Sequence, residues 1–253
     1  KYRQINRYVE LLSHLAKDCG WPEPTIRERA SGILPEEPSS AHASDHDEEA
    51  RLTCRRDAGS TLTIADMGCG KGYLTFGAWH FFRRVWKLPV RVLGVEVRPE
   101  LVATTNRLAR QIRADGLEFV PGDIASIKLP AVDALIALHA CNTATDDAIR
   151  RGIELGAKLI IVAPCCHKEL RPQLGRPEPL ASVLQYGVME ERLAEWLTDG
   201  LRALFLEWAG YRTKLLEFVA SVHTPKSLML AAIREREPFA DAGVRRRIAD
   251  LKA

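Results

Sequence analysis

The sequence predicts an α/β protein with a doubly wound, mostly parallel sheet that ends in an antiparallel hairpin. Three observations support this fold class. From residue 61 onward, short apolar runs alternate with segments of helical periodicity, which is typical of βαβ units with helices on both faces of a sheet. A glycine-rich loop follows the first apolar run. Two strand-like runs close the pattern after a long helix, which indicates a hairpin at the sheet edge.

The individual elements follow from their periodicity and from the residues that interrupt it. An amphipathic helix is predicted at residues 2–17, and Pro22 lies just beyond it. Strands are predicted at residues 62–65, 90–96, 117–120, 134–138, 158–163, 212–222 and 227–233. Helices are predicted at residues 74–85, 99–114, 146–155 and 190–208. All strands before residue 164 are expected to be parallel, and residues 223–226 would connect the last two.

Four segments are predicted along the chain. They are an N-terminal amphipathic helix at residues 1–21, a flexible acidic insert at 22–60, one α/β domain at 61–235 and a basic tail at 236–253. The insert has nine Asp and Glu against five Lys and Arg, so the other 214 residues carry a formal charge of +7 although the whole chain is only +3. A basic body of this kind favours an acidic partner.

The overall composition excludes several classes of protein. The chain has 253 residues, of which 46% are hydrophobic and 27% charged, and this excludes a disordered or fibrous protein. No apolar run is long enough to predict a membrane span. The six cysteines are too few and too irregular for a disulfide scaffold, which favours reduced thiols and a cytoplasmic location. Because the chain begins with Lys1 rather than Met, we expect a further segment upstream.

The strongest local signal is the segment Asp-Met-Gly-Cys-Gly-Lys-Gly at residues 66–72, between a predicted strand and a predicted helix. Glycines at Gly68, Gly70 and Gly72 allow a sharp turn and a close approach of the backbone to a ligand. Their spacing is one residue shorter than the dinucleotide-binding fingerprint, and this segment lacks the Lys-Ser/Thr ending of a phosphate-binding loop. The segment therefore predicts a ligand site of another kind.

Two carboxylates follow at the ends of the next strands. Glu96 lies 24 residues after Gly72, where an acidic side chain can accept hydrogen bonds from both hydroxyl groups of a ribose. Asp123 follows the third strand and is placed to meet an adenine edge. The glycine loop and the two carboxylates follow successive parallel strands, so they would lie at the same edge of the sheet.

The segment from Asp66 to Gly72, with Glu96 and Asp123, resembles the class I methyltransferases that depend on S-adenosylmethionine (SAM). The resemblance covers residues 61–233 and implies a seven-stranded sheet with an antiparallel final hairpin. It also implies that the glycine loop passes the methionine part of SAM. In that family pattern Asp66 orients the amino group, Glu96 holds the ribose, and Asp123 holds the adenine amine.

Two further motifs resemble one subgroup of that family, whose relatives include tRNA 2′-O-methyltransferases. His139-Ala140-Cys141-Asn142 follows the fourth strand, and Cys165-Cys166-His167-Lys168 follows the fifth. Both would lie at the carboxyl ends of parallel strands beside the cofactor, so we expect His139 to border SAM as well. The subgroup has Asp where this chain has Asn142, so a catalytic use of that acid is not carried over.

Three interpretations of the cysteines and histidines in these motifs stay open. Two Cys and two His could bind zinc, but neighbouring residues at a strand end point in opposite directions, so we predict no metal. Cys165 could act as a nucleophile, as a thiolate does in cytosine-5 methylation. We favour the third interpretation, in which His139 or His167 accepts a proton from the methyl acceptor and the thiols are small core residues.

The substrate is predicted from the basic residues that follow the fifth strand. Cys166, Lys168 and Arg171 would lie beside the crevice, where the two cationic side chains suit an RNA phosphate. The sequence therefore predicts a SAM-dependent methyltransferase that acts on a macromolecule, with RNA favoured over protein. The alternatives are a protein or small-molecule methyltransferase and, in another class, a non-catalytic SAM-fold binding module.

Overall fold

The computed structural model describes residues 2–23, 60–138, 140, 143–164, 171–175, 178–217, 228–237, 242–243 and 246–247. The helices in these residues are α1 (Tyr2–Asp18), α2 (Tyr73–His80), α3 (Pro99–Gln111), α4 (Thr143–Glu154), α5 (Ala181–Leu184) and α6 (Gly187–Trp208). The strands are β1 (Leu62–Met67), β2 (Val90–Glu96), β3 (Leu117–Pro121), β4 (Ala134–Leu138), β5 (Leu159–Ala163), β6 (Tyr211–Glu217) and β7 (Leu228–Arg234).

The strands form one seven-stranded sheet in the order β3-β2-β1-β4-β5-β7-β6. β1 to β5 are parallel, whereas β7 pairs antiparallel with both β5 and β6. The predicted fold class, with its final antiparallel pair, is therefore confirmed. β7 lies between β5 and β6, so β6 is the outermost strand on that side.

The sheet order places the glycine loop at the point where the chain reverses its direction of winding. β1 lies between β2 and β4, and the strands that follow β2 and β4 extend the sheet in opposite directions. Asp66 of β1 pairs in register with Gly94 of β2 and Ile136 of β4. In open α/β sheets this reversal leaves a crevice at the carboxyl ends of the strands, where ligands bind.

Helices cover the two faces of the sheet, and each face has its own apolar core. Because side chains alternate along a strand, Ile64 joins one core and its neighbour Ala65 joins the other. The Ile64 core contains Tyr8 of α1 and Phe82, which follows α2. The Ala65 core contains Leu206 of α6 and residues of α4. The N-terminal helix therefore packs on the same face as α2.

Several boundaries differ from the predicted ones for identifiable reasons. The helix predicted at 74–85 is α2 followed by a π-helical turn at Phe81–Val85. This wider turn brings the Phe81 ring centroid to 4.9 Å from both Phe82 and Trp86. α3 ends at Gln111 rather than at residue 114, because Arg113 has a φ of 51°.

Other differences concern where elements begin. α4 begins at Thr143 and α6 at Gly187, each three residues before the predicted start. Of the predicted insert at 22–60, residues 24–59 lie outside the described residues, as does the predicted connection at 223–226. In the part of the chain that the structure describes, no helix is both long and apolar enough to cross a membrane.

Candidate functional site

The glycine loop after β1 requires a left-handed backbone at three positions. Gly68, Gly70 and Gly72 have φ values of 71°, 57° and 71°. A Cβ on Gly72 would also lie 2.9 Å from the ring of Phe119. The first two glycines line a pocket, whereas Gly72 is buried and packs the loop against β3. Gly72 therefore has a packing role, and ligand binding by the three glycines stays a prediction.

The neighbouring strand β2 holds this loop in place through hydrogen bonds. The amides of Gly68 and Cys69 both donate to the carbonyl oxygen of Val95, at 2.9 and 3.0 Å. The amide of Gly70 donates to Oε2 of Glu96 at 2.8 Å. One backbone carbonyl and one carboxylate of β2 thus fix the shape of the loop.

Glu96 lies at the end of β2 and is only 4% exposed. Besides Gly70, it accepts hydrogen bonds from Arg98: from the backbone amide at 3.1 Å, from Nε at 2.8 Å and from Nη2 at 3.2 Å. Hydrogen bonds from the Arg98 side chain hold the pKa of Glu96 below its usual value, although burial acts in the opposite direction. Glu96 is therefore a carboxylate that strongly accepts hydrogen bonds.

Asp66 lies near the end of β1 and is 5% exposed. Its Oδ2 accepts a hydrogen bond from Oγ1 of Thr75 at 2.6 Å. Burial raises the pKa of Asp66 to about 7, and the Thr75 hydrogen bond offsets part of this effect. Asp66 therefore exchanges its proton near neutral pH, and a cation beside it would favour the charged form.

A pocket of about 310 Å³ lies at this loop, and we call it the loop pocket. This volume is within the range of small-molecule sites. Its lining includes Gln4, Ile5, Asp66, Gly68, Gly70 and Arg98. Helix α1, strand β1 and the residues after β2 therefore all contribute to one concave site. Glu96 and Asp123 are not among its lining residues.

Asp123 follows β3, the strand next to β2, and its side chain is exposed. Its Oδ1 accepts a hydrogen bond from the amide of Ala125 at 2.9 Å. The amide of Gly122, the preceding residue, donates to the carbonyl oxygen of Glu96 at 3.1 Å. Asp123 therefore shares the sheet edge with Glu96, in a turn that the carboxylate itself stabilises.

A larger groove of about 790 Å³ lies beside the loop pocket, and we call it the α1–α2 groove. The two cavities share Ile5 and Tyr73 as walls. The rest of the groove is lined mainly by apolar and aromatic residues, among them Phe76, Trp79, Val85 and Ile112. The guanidinium carbon of Arg84 lies 5.5 Å from the centre of the Trp79 ring.

Most residues of the two cysteine and histidine motifs lie outside the described residues. These are His139, Cys141, Asn142, Cys165, Cys166, His167 and Lys168. Leu138, the last residue of β4, lines the loop pocket. Arg171, predicted to contact substrate, donates from Nε to Oε2 of Glu190 at 3.2 Å. Its guanidinium is therefore already engaged with α6.

Comparison with known protein families decides the family. A family model described as a methyltransferase domain matches residues 47–173, which is half of the chain. The chain belongs to this methyltransferase family. A Saccharomyces cerevisiae protein named "Probable S-adenosylmethionine-dependent methyltransferase CRG1" is 24% identical over 169 residues, covering 62% of this chain and 53% of its own. The methyltransferase chain thus spans about half the length of this curated relative.

Several solved structures resemble the methyltransferase domain in fold. A SAM-dependent methyltransferase from Aquifex aeolicus is 16% identical, with a TM-score of 0.40 over 68% of this chain and 80% of its own. The 23S rRNA methyltransferase ErmE is 14% identical, with a TM-score of 0.45 over 76% and 69%. The CMeT domain of citrinin polyketide synthase is 15% identical, with a TM-score of 0.45 over 72% and 48%.

The fold is that of the class I methyltransferases, and the cofactor of this SAM-dependent methyltransferase domain is S-adenosylmethionine. The groups around the loop fit this cofactor. Asp66 and Glu96 are carboxylates of adjacent strands, suited to an ammonium group and to ribose hydroxyls. Glycines at positive φ keep side chains out of the space between them.

Three residues at this methyltransferase site were missed by the sequence prediction. Thr75 binds Asp66 and Arg98 binds Glu96, and the charge of Asp66 adds to the burial that raises the pKa of Tyr8 in α1. Arg98 has a detectable signal, because it follows Glu96 by two residues just before the proline that begins α3. Thr75 and Tyr8 have none, because their roles depend on how α1 and α2 pack.

Proposed function

We propose that this domain transfers a methyl group from SAM to a nucleophile on RNA, with a tRNA or rRNA as substrate. The observation that carries the proposal is the arrangement of the two cavities. The loop pocket is lined by Asp66 and adjoins Glu96 through Gly70 and Arg98, and it has Ile5 and Tyr73 in common with the α1–α2 groove. A methyl acceptor in the groove would therefore lie next to the cofactor.

The loop pocket and its rim would hold the cofactor through four contacts. The loop from Gly68 to Gly70 would pass the methionine part, and Asp66 would pair with its ammonium group. Glu96 would accept hydrogen bonds from the ribose hydroxyls, sharing its lone pairs with Arg98. Asp123 would accept a hydrogen bond from the adenine amine. The exposed side chain of Asp123 supports this role, since Ala125 engages only its Oδ1 among the contacts described.

Methyl transfer requires alignment more than covalent help from the protein. When bound, SAM supplies an electrophilic methyl group on a sulfonium sulfur, which an in-line nucleophile displaces. The protein's tasks are to hold the acceptor in line and to accept its proton. We propose His139 or His167 for the proton, because an imidazole has a pKa near neutrality. A nucleophilic Cys165 is the alternative for a cytosine acceptor.

The groove is chemically suited to RNA. Tyr73 is 48% exposed where the two cavities meet, and Phe76 and Trp79 lie further along the groove. Of these, Tyr73 is accessible for stacking with an unpaired base, whereas Trp79 is only 4% exposed, and arginines beside such a site bind phosphate. Arg84, stacked over Trp79, provides such a cation. Lys168 and Cys166 would extend the substrate surface, and Arg171 would join it if it exchanged Glu190 for a phosphate.

The proposal is tested by methyl transfer to fractionated cell extracts. The full chain would be incubated with methyl-labelled SAM and with RNA and protein fractions from cells that lack the enzyme. We expect label in a tRNA or rRNA fraction, and digestion to nucleosides then identifies the methylated unit. RNA binding should weaken steeply with salt, because phosphate contacts release counterions. A Glu96→Ala variant serves as the cofactor-binding control and should leave the RNA unlabelled.

Each other outcome contradicts a specific part of the proposal. Label in the protein fraction, with no salt-dependent RNA binding, would indicate a protein methyltransferase. Label in small metabolites alone would indicate a small-molecule substrate. Binding of SAM without transfer to any fraction would favour a non-catalytic module.

A further inference from the structure

Tyr8 of α1 has a buried hydroxyl that the fold itself does not use. The side chain is 1% exposed and belongs to the apolar core that α1 shares with α2. Its hydroxyl oxygen has no hydrogen-bond partner among the residues that the structure describes. A buried hydroxyl without a partner costs free energy, and phenylalanine would fill the same space without that cost. A tyrosine here therefore needs a reason outside core packing.

The position of Tyr8 suggests that reason. Because side chains alternate along β1, Asp66 points to the same face of the sheet as Ile64, whose apolar core contains Tyr8. Burial, and then the charge of Asp66, raise the pKa of the Tyr8 hydroxyl. Gln4, one helical turn before Tyr8, lines the loop pocket. α1 therefore contributes to the wall of the pocket and brings the Tyr8 hydroxyl towards Asp66 behind that wall.

Asp66 has capacity to accept a further hydrogen bond. The structure shows one donor to its carboxylate, which is Thr75 Oγ1 on Oδ2. A carboxylate has four lone pairs, and it uses them far more strongly when it is ionised than when it is protonated. Within the described part of the chain, the Tyr8 hydroxyl is a donor without an acceptor, and the Asp66 carboxylate is an acceptor with further lone pairs.

We propose that Tyr8 is a positioning residue for the cofactor, whose hydroxyl donates to the Asp66 carboxylate when an ammonium group occupies the loop pocket. This inference rests on the proposed pairing of Asp66 with the cofactor's ammonium. The incoming cation favours ionised Asp66, and the ionised carboxylate then attracts the Tyr8 hydroxyl. The Tyr8 hydroxyl therefore gains its acceptor when the cofactor occupies the loop pocket. Cofactor binding in this way depends on a residue of α1.

Several charged or titratable groups lie around Asp66 and would share in this response. The glycine loop contributes Lys71, which lines the pocket, and Cys69, whose thiol pKa is raised by burial and then by Asp66. Glu96 of β2 also acts on Cys69 and is neutralised by Arg98. On the α2 side Asp66 is bonded by Thr75, which is uncharged. None of these groups takes the place of the cofactor's ammonium beside Asp66. We therefore expect Asp66 to ionise fully when the cofactor binds.

A pair of tyrosine-to-phenylalanine variants tests the proposal in the full chain. Tyr211 is the matched control, because it is 2% exposed and its hydroxyl donates to the carbonyl oxygen of Ala157 at 2.7 Å. Thermal unfolding would be measured without ligand, and binding of S-adenosylhomocysteine, which retains the ammonium, by calorimetry. We expect Tyr8→Phe to be at least as stable as the wild type but to bind about tenfold more weakly. Tyr211→Phe should show the reverse, with lower stability and unchanged affinity.

A second ligand shows whether the loss of affinity arises at the ammonium group. Methylthioadenosine lacks the ammonium and the carboxylate, so its affinity should be the same for Tyr8→Phe and the wild type. The pH at which S-adenosylhomocysteine affinity reaches half its maximum should also rise in Tyr8→Phe, because ionised Asp66 loses a donor. If Tyr8 had only a structural role, Tyr8→Phe would change neither the ratio of the affinities for the two ligands nor the pH dependence of S-adenosylhomocysteine binding.

Two results would overturn the inference. One is wild-type affinity of Tyr8→Phe for S-adenosylhomocysteine, and the other is an equal loss for both ligands. Neither depends on the substrate, so the RNA proposal is judged separately by the labelling of RNA fractions. A wild-type chain that binds S-adenosylhomocysteine but labels no RNA would leave the Tyr8 inference standing and overturn the RNA substrate.

Discussion

The amide of Gly70 and Oε2 of Glu96 lie 2.8 Å apart, so a hydrogen bond joins the glycine loop to the end of the neighbouring strand. The same carboxylate accepts three hydrogen bonds from Arg98. Glu96 therefore supports the shape of the loop while it is also the group proposed to hold the ribose. The two roles cannot be separated, because the carboxylate proposed to bind the ligand is the same one that accepts the Gly70 hydrogen bond and holds the loop.

Replacing Glu96 with alanine should weaken cofactor binding about 100-fold or more. The variant loses the ribose acceptor and also the hydrogen bond that holds Gly70, and hydrogen bonds to a charged group contribute about 1.5–3 kcal/mol each. Calorimetric titration with S-adenosylhomocysteine measures the change. Glu118→Ala is the matched control, because Glu118 is an exposed residue of the adjacent strand that pairs with Arg91. Equal affinities for both variants would contradict the role of Glu96.

Alanine at Gly70 and at Gly72 should have different consequences. At Gly70 the added Cβ has space, with Arg98 Nη2 3.8 Å away, so the cost is backbone strain of about 1–2 kcal/mol and a distorted pocket. At Gly72 the same strain is joined by a clash with Phe119, so the protein should lose roughly 3 kcal/mol of stability. Chemical denaturation and cofactor titration separate the two effects.

Gly200 provides the control for these alanine substitutions. It lies inside α6, and a Cβ there would meet no atom within 4 Å. Gly200→Ala should therefore stabilise the protein by about 0.5–1 kcal/mol, since alanine is the better helix former. A Gly72→Ala variant as stable as the wild type would show that the loop is not packed against Phe119.

The buried Asp66 should make the free protein less stable as the pH rises. Its pKa is about 7 in the folded protein against an ordinary value of 3.8, so between these values the folded state binds one proton more than the unfolded state. The stability that this proton gives is complete at low pH and falls by about 1.4 kcal/mol per pH unit up to pH 7. Asp66→Asn should lack this fall.

Denaturation of wild type and Asp66→Asn between pH 4 and 8 measures the difference directly, because the other titrating groups are common to both. We expect the wild type to lose roughly 3–4 kcal/mol relative to the variant over this range. Asp115→Asn, a change at an exposed position, should follow the wild type. Parallel curves for Asp66→Asn and the wild type would refute the raised pKa.

Arg202 of α6 should be one of the more sensitive charged positions in the protein. It is 5% exposed and binds both carboxylate oxygens of Asp146 in α4, at 2.7 and 2.9 Å, and Asp199 at 3.0 Å. Arg202→Ala would leave the buried Asp199 carboxylate without this cation, at a cost of about 3 kcal/mol or more. Urea denaturation checks the value.

Two companion variants make the Arg202 prediction specific. Arg150→Ala, at an exposed arginine of α4, should change stability little, because exposed ion pairs contribute weakly. Arg202→Ala combined with Asp199→Ala should be more stable than Arg202→Ala alone, because the buried carboxylate is gone. Additive losses would show that the two side chains act independently.

The sheet could be predicted from sequence because its strands are continuous apolar runs with clear ends. β2 and β4 have their predicted bounds, since every residue of β4 and nearly every residue of β2 is buried. The helix ends were harder to predict. The π-helical turn after α2 depends on contacts between Phe81 and Trp86, which tertiary packing decides. The left-handed Arg113 that ends α3 has no glycine or proline to announce it.

The candidate site also contains some features that the sequence predicts and others that it does not. The positions of the glycine loop, Glu96 and Asp123 at strand ends were predictable, because the residues of each strand end are contiguous in sequence, and their contacts with SAM stay a prediction. The hydrogen bond from Thr75 to Asp66 and the burial of Tyr8 were not predictable, because α2 and α1 bring these residues to the sheet from other parts of the chain. The packing of Gly72 against Phe119 of β3 was also not predictable, because only the folded sheet creates this contact.

The insertion of β7 between β5 and β6 has a consequence for how the chain assembles during synthesis. β5 is paired on one side by β4, and its other side is filled by β7 (Leu228–Arg234), which the ribosome makes after the other six strands of this sheet. Until then β5, an apolar strand, keeps an open edge that can pair with another chain. Nascent or C-terminally truncated chains should therefore depend on chaperones more than the finished protein does.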